Sequence, residues 1–323
     1  MYNLPMNKIL VTDSLFILPE HVRQLEAAGY EVERLDKLKA TEAELIAAVK
    51  GKVGYILGGI EHVTQPVIDA ADSLKVITFT GIGYKGLIPS WEYATQKGIA
   101  ITNTPDAPTQ AVAEWSITAA LAMNRCFFDL GLAGEKDFLT TPGLQDQKIG
   151  IIGLGRIGAR IADMLGPFKV ASISYYSPHH KAESETDGRI KYASLDEVLA
   201  TSDIVFVCVG DDAGKNYINA EHLSRMRDGA LIVSFMHPGI IDAGALFVEL
   251  KSGRLRAVSD YPEDARLKEL PFSTWYSFNG SNAFNTHSGI AVASRVGVQS
   301  MINVLKTGDD ANVVNPEYRQ HLR

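Results

Sequence analysis

The stretch from Ile149 to Leu165 reads IGIIGLGRIGARIADML and carries Gly153, Gly155 and Gly158 in G-x-G-x-x-G spacing. An apolar run precedes the glycines and an amphipathic run follows them, which predicts a strand, a tight turn and a helix. The first glycine permits the turn, the second lets a diphosphate approach, and the third lets helix and strand pack closely. The stretch therefore predicts a dinucleotide-binding loop at a helix N-terminus; the alternative is a glycine-rich turn without a ligand.

The segments on both sides of this loop alternate short apolar runs with helix-like runs. Lys8 to Asp13 is typical of a buried strand, and the helix after it is expected to end at Gly29. Thr41 with Glu44 three residues later predicts a capping box at the start of a further helix. This order predicts parallel sheets. We therefore expect an α/β fold with two doubly wound parallel-sheet (Rossmann-like) domains.

Composition excludes several classes of protein. The 323 residues are 46% hydrophobic and 21% charged, as expected for two packed domains. A formal net charge of −7 argues against a surface for nucleic acids or anionic membranes. Cys126 and Cys208 lie in apolar runs and are expected to be buried free thiols, with no metal-ligand spacing. Without a signal-peptide stretch or a long apolar run, the cytoplasm is the expected location.

The end of the strand after the glycine loop bears on the choice of cofactor. An acidic residue usually stands there and holds the ribose 2′-hydroxyl, but this chain reads SYYSPHHK from Ser174 to Lys181. Tyr176 or Ser177 takes the acidic position, and His179 and Lys181 follow. A hydroxyl and nearby cations favour NADP, with NAD possible; the alternative is an exposed polar loop that prefers neither.

Several segments together resemble the D-isomer-specific 2-hydroxyacid dehydrogenases over nearly the whole chain. They are TGIGYKGLIPSWEYATQKGIAITNTPDAPTQAVAEWSITAALAMNR, GIIGLGRIG, TSDIVFVCV, MRDGALIVSF and GDDANVVNPEY. The resemblance implies a substrate domain of residues 1–102 plus 291–323 and a dinucleotide-binding domain of residues 103–290, with the active site in the interdomain cleft. It also implies a homodimer formed through the interdomain helical region, AVAEWSITAALAMNRCFFDL.

The same resemblance implies hydride transfer between nicotinamide and a small 2-keto or 2-hydroxy acid. The family uses an Arg to grip the substrate, a His for proton transfer and a Glu that orients the His. Its T-P-H segment matches NAFNTHSGIA and gives His287, a residue suited to proton transfer near neutral pH. Its V-N-x-x-R-G-x-x-V-D pattern falls on VSFMHPGIID, so the Arg position is His237 and the next glycine is Pro238.

The Glu position also departs from the family. The pattern D-V-F-x-x-E falls on DYPEDA, with Asp260 as its first residue and Ala265 at the Glu. A shift of one residue gives Asp264 as the partner of His287. The following run is longer than usual and holds aromatic residues from Trp275 to Phe278. These either narrow the pocket or pack as a plug on the surface.

The remaining expected site residues follow from position in the resemblance. The segment LGGIEHVT gives Gly58 and Gly59, and TGIGY gives Thr80, Gly81 and Ile82, as backbone contacts to an anionic small-molecule substrate. The expected cofactor-binding residues are Gly153, Gly155, Arg156, Ile157, Gly158, Ser177, His179, Lys181 and Asp260.

Two classes of function fit these observations. The first is an NADP-dependent reductase of a 2-keto acid or related carbonyl compound, with reduction of a C=N or C=C bond as a variant. The second is a cofactor-binding sensor or scaffold without turnover, which the replaced Arg and Glu favour. The glycine loop and His287 favour the enzyme.

Overall fold

Two parallel sheets, of five and seven strands, organise the part of the chain that the computed structural model describes. That part comprises residues 7–13, 16–132, 139–236, 238–260, 264–278 and 283–322. The chain divides into unit 1, Met1–Pro108 with Asn285–Arg323, and unit 2, Thr109–Phe284. The prediction of two doubly wound, Rossmann-like α/β domains is confirmed.

Unit 1 holds the five-stranded sheet, in the order β2-β1-β3-β4-β5. Its elements in chain order are β1 Asn7–Thr12, α1 Pro19–Ala27, β2 Tyr30–Leu35, α2 Glu42–Ala48, β3 Lys52–Leu57, α3 Gln65–Ala70, β4 Val76–Phe79, α4 Trp91–Gln96 and β5 Ala100–Thr102, and the late helix α11 His287–Thr307. The predicted capping box is present, because Thr41 accepts from the Glu44 amide and Glu44 accepts from the Thr41 amide.

Apolar side chains cover both faces of this sheet, and the central strand β3 is buried along its whole length. On one face α11 packs closely because Gly54 has no side chain. A Cβ added at Gly54 would lie 2.4 Å from Sδ of Met301. The late helix is thus part of the core of unit 1.

Unit 2 holds the seven-stranded sheet, in the order β12-β11-β10-β9-β6-β7-β8. Its elements are α5 Thr109–Asn124, α6 Phe127–Leu132, β6 Lys148–Ile152, α7 Arg156–Leu165, β7 Ser172–Tyr176, β8 Ile190–Tyr192, α8 Leu195–Thr201, β9 Ile204–Val207, α9 Ala220–Ser224, β10 Leu231–Ser234, α10 Ala243–Lys251, β11 Arg256–Ser259 and β12 Trp275–Ser277. The strand order reverses at β6, and in such sheets ligands bind beyond the carboxyl ends of the strands at this switch point.

The apolar run of the interdomain helical region forms two helices, α5 and α6. Cys126 separates them with φ of +48°, a left-handed conformation that ends the first helix. Arg256 stabilises this end, since its guanidinium donates to Oδ1 of Asn124 at 2.9 Å and to the carbonyl of Met123 at 3.5 Å. Sequence periodicity could not show this break, because the arginine that supports it comes from a distant strand.

The aromatic run after Leu270 forms β12, which pairs in parallel with β11. Trp275 is buried, Tyr276 stacks on Phe128 with ring centroids 4.0 Å apart, and Phe278 packs on Trp115 at 4.7 Å. These residues therefore extend the sheet and join the core of unit 2.

Two further observations concern the cysteines and the helices. Cys126 and Cys208 are free thiols, each only partly exposed, and burial raises the pKa of Cys208 to about 12. Among the described helices, none has the length and apolar character needed to cross a membrane.

Candidate dinucleotide site and substrate loops

The glycine loop joins β6 to α7 at the switch point of the sheet. Gly153 has φ of +96°, a conformation that L side chains rarely adopt. Its amide donates to the carbonyl of Tyr176 at 2.8 Å, and the amide of Leu154 donates to Oγ of Ser177 at 3.1 Å. The loop is thereby fixed to the end of β7.

The other two glycines have different surroundings. A Cβ added at Gly158 would lie 2.2 Å from the carbonyl oxygen of Gly153, so α7 sits directly against the turn. A Cβ added at Gly155 would meet no atom of the described residues within 4 Å. Gly155 is the N-cap of α7 and has no side-chain cap. The open space above Gly155, beside uncapped helix amides, fits a diphosphate, and a side chain there would fill it.

The end of β7 carries the residues predicted to choose the cofactor. Ser177 is only 6% exposed, and its hydroxyl accepts the loop amide described above. His179 is exposed, and Lys181 is partly exposed. Tyr176 lies beside Tyr217, whose pKa is raised to about 12, first by burial and then by Tyr176. The position where a carboxylate is usual in NAD-binding domains is thus occupied by the hydroxyl of Ser177.

Asp260 follows β11 at its carboxyl end, and β10 separates β11 from β9 in the sheet. Its side chain is 2% exposed, and its carbonyl accepts from Oγ of Ser277 at 3.0 Å. A small cavity lies at the ends of β10 and β11, lined by residues that include Ser234, Met236, Pro238 and Asp260. His237, the predicted substrate residue, lies outside the described residues.

Asp264, the predicted partner of His287, is engaged within its own segment. It caps the 3-10 helix Ala265–Glu269, accepting from the Arg266 amide at 3.0 Å and from Nε of Arg266 at 2.9 Å. The side chain and then the backbone of Arg266 hold the pKa of Asp264 at about 2. A bidentate arginine pair of this kind keeps the carboxylate ionised.

His287 is the first residue of α11, and its side chain is exposed. Thr286 precedes it as the N-cap, with Oγ1 accepting from the Gly289 amide at 3.0 Å. The capped backbone therefore fixes where the imidazole leaves the helix. No side-chain partner of His287 is found among the described residues, so its ring is accessible.

The predicted substrate loops of unit 1 follow the adjacent strands β3 and β4. The Gly58 amide donates to Oγ1 of Thr12 at 3.3 Å, and both the amide and Oγ1 of Thr80 donate to the Leu57 carbonyl. The carbonyls of Gly81 and Ile82 accept from the Thr104 amide and the Asn103 side chain, respectively. The structure thus brings Gly58, Gly59, Thr80, Gly81 and Ile82 to one edge of the sheet.

A buried polar cluster behind Gly59 was missed by the sequence reasoning. Glu61 is completely buried, and Oη of Tyr55 donates to its Oε1 at 2.8 Å. Burial raises the pKa of Glu61. The one signal in the sequence was a glutamate two residues after the Gly58–Gly59 pair. A glutamate in such a loop is equally well interpreted as an exposed residue.

Comparison with known proteins agrees with this geometry. A family model described as D-isomer specific 2-hydroxyacid dehydrogenase, NAD binding domain, matches residues 127–279. Glyoxylate reductase of Pyrococcus furiosus is 30% identical over 260 residues, which are 76% of this chain and 76% of that protein. D-3-phosphoglycerate dehydrogenase of Methanocaldococcus jannaschii is 31% identical over 321 residues, but this chain spans only 60% of its length.

A solved structure shows the same fold over both units. The NAD+-bound 3-phosphoglycerate dehydrogenase of Entamoeba histolytica superposes with a TM-score of 0.82, covering 96% of this chain and 98% of that one, at 19% identity. Sequence and fold therefore agree, and the chain belongs to the D-isomer-specific 2-hydroxyacid dehydrogenase family, a family of oxidoreductases with a nicotinamide-binding domain.

Proposed function

We propose that the protein transfers a hydride between a nicotinamide cofactor, NADPH in preference to NADH, and a small 2-keto or 2-hydroxy acid or a related carbonyl compound. The observation that carries this proposal is the cradle at the head of α7. Gly158 packs against the turn, and the space above Gly155 is open. Family membership supplies the class of reaction.

The cofactor is proposed to lie along the carboxyl ends of the strands of unit 2. Its diphosphate would bind the N-terminus of α7 at Gly153, Gly155 and Gly158, with Arg156 and Ile157 in the first turn. A reduced nicotinamide bound there would supply the hydride for the carbonyl carbon of the substrate. Asp260, buried at the end of β11, is proposed to hold the nicotinamide end.

NADPH preference rests on charge at the end of β7. Ser177 stands where a carboxylate would repel a 2′-phosphate, and His179 and Lys181 follow it. A carboxylate there would also accept a hydrogen bond from the ribose hydroxyl of NADH. Without that carboxylate, the 2′-phosphate of NADPH is not repelled and the ribose of NADH loses a hydrogen-bond acceptor. Charge-assisted contacts from His179 and Lys181 to the 2′-phosphate would add to the preference for NADPH.

The substrate is proposed to be an anion held by backbone groups of Gly58, Gly59, Thr80, Gly81 and Ile82. His237, at the family's arginine position, is proposed to lie beside the substrate. An imidazole offers fewer donors than the bidentate fork of arginine and is charged only below about pH 6.5. We therefore expect weaker binding of simple 2-keto acids than an arginine would give.

His287 is proposed to donate the proton that the carbonyl oxygen takes up during reduction, and to accept it in the reverse reaction. Its exposed ring leaves the start of α11 from a capped backbone. A pairing with Asp264 would require that carboxylate to serve Arg266 and His287 together, since Arg266 already holds it. General acid–base help of this kind is typically worth about 10²- to 10⁴-fold in rate.

Loss of reduced nicotinamide absorbance tests the proposal. NADPH and NADH are each mixed with a panel of 2-keto acids that begins with glyoxylate and hydroxypyruvate, and then with aldehydes and imines. We expect turnover of at least one 2-keto acid, faster at limiting NADPH than at limiting NADH. Turnover of imines alone would reassign the reaction to C=N reduction, and no turnover with intact cofactor binding would contradict an enzyme.

One observation favours a second candidate, a cofactor-binding protein without turnover. Ala265 occupies the family's glutamate position, and the adjacent Asp264 is held by Arg266. If neither can support His287, the cradle would bind cofactor with no proton relay beside it. The same panel separates the two candidates, because this one predicts cofactor binding without product.

We further propose that the protein is a homodimer through an apolar patch made by Phe127, Leu130 and Phe272. Their exposed fractions are 67%, 42% and 44%. Phe128 links them, since it contacts Phe127 and stacks on Tyr276, which in turn contacts Phe272. Light scattering should give twice the 35.1 kDa mass of the chain. Phe127→Asp with Leu130→Asp should give the monomer, and a monomeric wild type would refute the dimer.

A further inference from the structure

Glu61 is buried at the carboxyl end of the unit 1 sheet, and no cation among the described residues pairs with its carboxyl group. It is 0% exposed, and within the described residues its Oε2 has no hydrogen-bond partner and no ion pair. Tyr55 donates to Oε1 at 2.8 Å, and Oγ1 of Thr12 lies 3.4 Å from the same Tyr55 hydroxyl. An ionised carboxylate in such a place is costly, because neither solvent nor a cation offsets its charge.

The carboxyl group lies directly behind the proposed substrate loop. A Cβ added at Gly59 would be 2.2 Å from Oε2 of Glu61 and 2.5 Å from the carbonyl oxygen of Leu38. The amide of Ile60 donates to that same Leu38 carbonyl at 2.8 Å. The backbone of Gly59 is therefore held between the Leu38 segment and the Glu61 carboxyl.

The charged groups around Glu61 do not neutralise it. From the end of β1, Asp13 is a like charge that raises the pKa of Glu61, after the larger effect of burial. From β3 comes the phenol of Tyr55, whose own pKa burial raises. Beside Leu38, Lys37 is exposed and paired with Glu44, while Lys39 and the neighbouring His62 are exposed.

We propose that Glu61 is a positioning residue for the Gly58–Gly59 loop, whose neutral form supports binding of an anionic substrate and whose carboxylate form opposes it. This inference rests on the proposed function, because it takes the loop as the place where the substrate carboxylate binds. It follows that affinity for an anionic substrate falls as pH rises through the titration of Glu61, whereas affinity for a neutral carbonyl compound does not.

The test compares two substrates that differ in charge. KM is measured from mildly acidic to mildly alkaline pH for glyoxylate, an anion, and for glycolaldehyde, which is neutral. In the wild type the glyoxylate KM should rise about three- to tenfold across this range, as expected for a charge a few ångströms away in a partly screened site. The glycolaldehyde KM should stay level.

Glu61→Gln keeps the size and the hydrogen bonds of the side chain but cannot ionise. It should reduce the rise in glyoxylate KM and leave only the part that the proposed substrate contact of His237 contributes, whereas Glu26→Gln, an exposed glutamate of α1, should keep the full rise. His62→Gln should also keep it, which excludes titration of the neighbouring imidazole. A glyoxylate slope unchanged in Glu61→Gln, or an equal slope for glycolaldehyde, would overturn the inference.

A second readout does not depend on turnover, so failure of the proposed function and failure of this inference can be told apart. The rise in unfolding temperature that oxalate produces is measured over the same pH range. It should shrink with pH in the wild type and shrink clearly less in Glu61→Gln. If no substrate is reduced but oxalate behaves in this way, the inference stands and the proposed activity fails. A parallel loss in both proteins would refute the inference.

Discussion

Alanine variants of Gly155 and Gly158 should separate the effect of the loop on cofactor binding from its effect on protein stability. In Gly158→Ala the new Cβ would lie 2.2 Å from the Gly153 carbonyl oxygen and 3.0 Å from Cγ2 of Ile151. Backbone must move by more than an ångström, so the cost should lie at the upper end of the range for overpacking, about 3 kcal/mol. The gain in helix propensity on replacing glycine offsets about 1 kcal/mol. We expect a net loss of about 2 kcal/mol, or about 4–8 °C in Tm.

Gly155→Ala is the matched variant. Its Cβ would meet no atom of the described residues within 4 Å, and the N-cap position is unstrained for alanine. The loss of stability should stay below about 1 kcal/mol. The methyl group would stand where the diphosphate approaches, so NADPH affinity should fall about tenfold to a hundredfold.

Both variants are measured by thermal unfolding and by titration of NADPH fluorescence. Gly155→Ala should unfold close to the wild-type temperature while binding NADPH weakly, and Gly158→Ala should lose both stability and binding. Wild-type affinity in Gly155→Ala would show that the diphosphate does not lie on α7. An unchanged Tm in Gly158→Ala would refute the argument from close packing.

Three further predictions concern charge and proton transfer. Ser177→Asp should keep the hydrogen bond from the Leu154 amide but shift preference toward NADH by about 1–3 kcal/mol, roughly ten- to hundredfold in relative Kd, whereas the neutral Ser177→Asn should not; fluorescence titration of both cofactors decides. His287→Ala should lower kcat at least about 100-fold with NADPH affinity nearly unchanged, and near-normal turnover would remove its proposed role. Glu61→Gln should raise Tm over wild type at a pH of about 8 but not at a pH of about 4. The raised pKa of Glu61 means that stability is lost as pH rises from its unfolded value of about 4.3 through the folded one, so equal Tm values at the higher pH would contradict the argument.

Local rules were enough to predict the fold. The capping box at Thr41, the strands that precede each glycine turn, and the loop at Gly153 all follow from short-range pattern, and all are present. Each of these features depends on a few residues that are neighbours in the sequence, so a short segment is enough to predict it.

Features that depend on contacts between residues far apart in the sequence could not be predicted from it. The break between α5 and α6 at Cys126 is stabilised by Arg256, which comes from a strand more than a hundred residues later. Tyr276 and Phe278 looked like candidates for a pocket or a surface plug, but their neighbours Phe128 and Trp115 make them part of the core.

The sequence was enough to name candidate site residues but not to predict their charge states. Sequence position gave Gly59 and Asp264 as site residues. Only the structure shows the buried carboxyl of Glu61 behind Gly59, and Arg266 paired with Asp264. Burial and ion pairing decide the charge of such groups, and neither can be read from residue type.

Transfer of deuterium from the cofactor to a product shows directly whether the protein moves a hydride between nicotinamide and a 2-keto acid. The protein is incubated with NADPH deuterated at the transferred position and a mixture of small 2-keto acids, and the products are analysed by mass spectrometry and chiral separation. We expect D-2-hydroxy acid carrying deuterium at C2, with the yield reduced in Gly155→Ala and abolished or nearly so in His287→Ala. Cofactor binding at the glycine loop without any deuterated hydroxy acid would contradict this expectation.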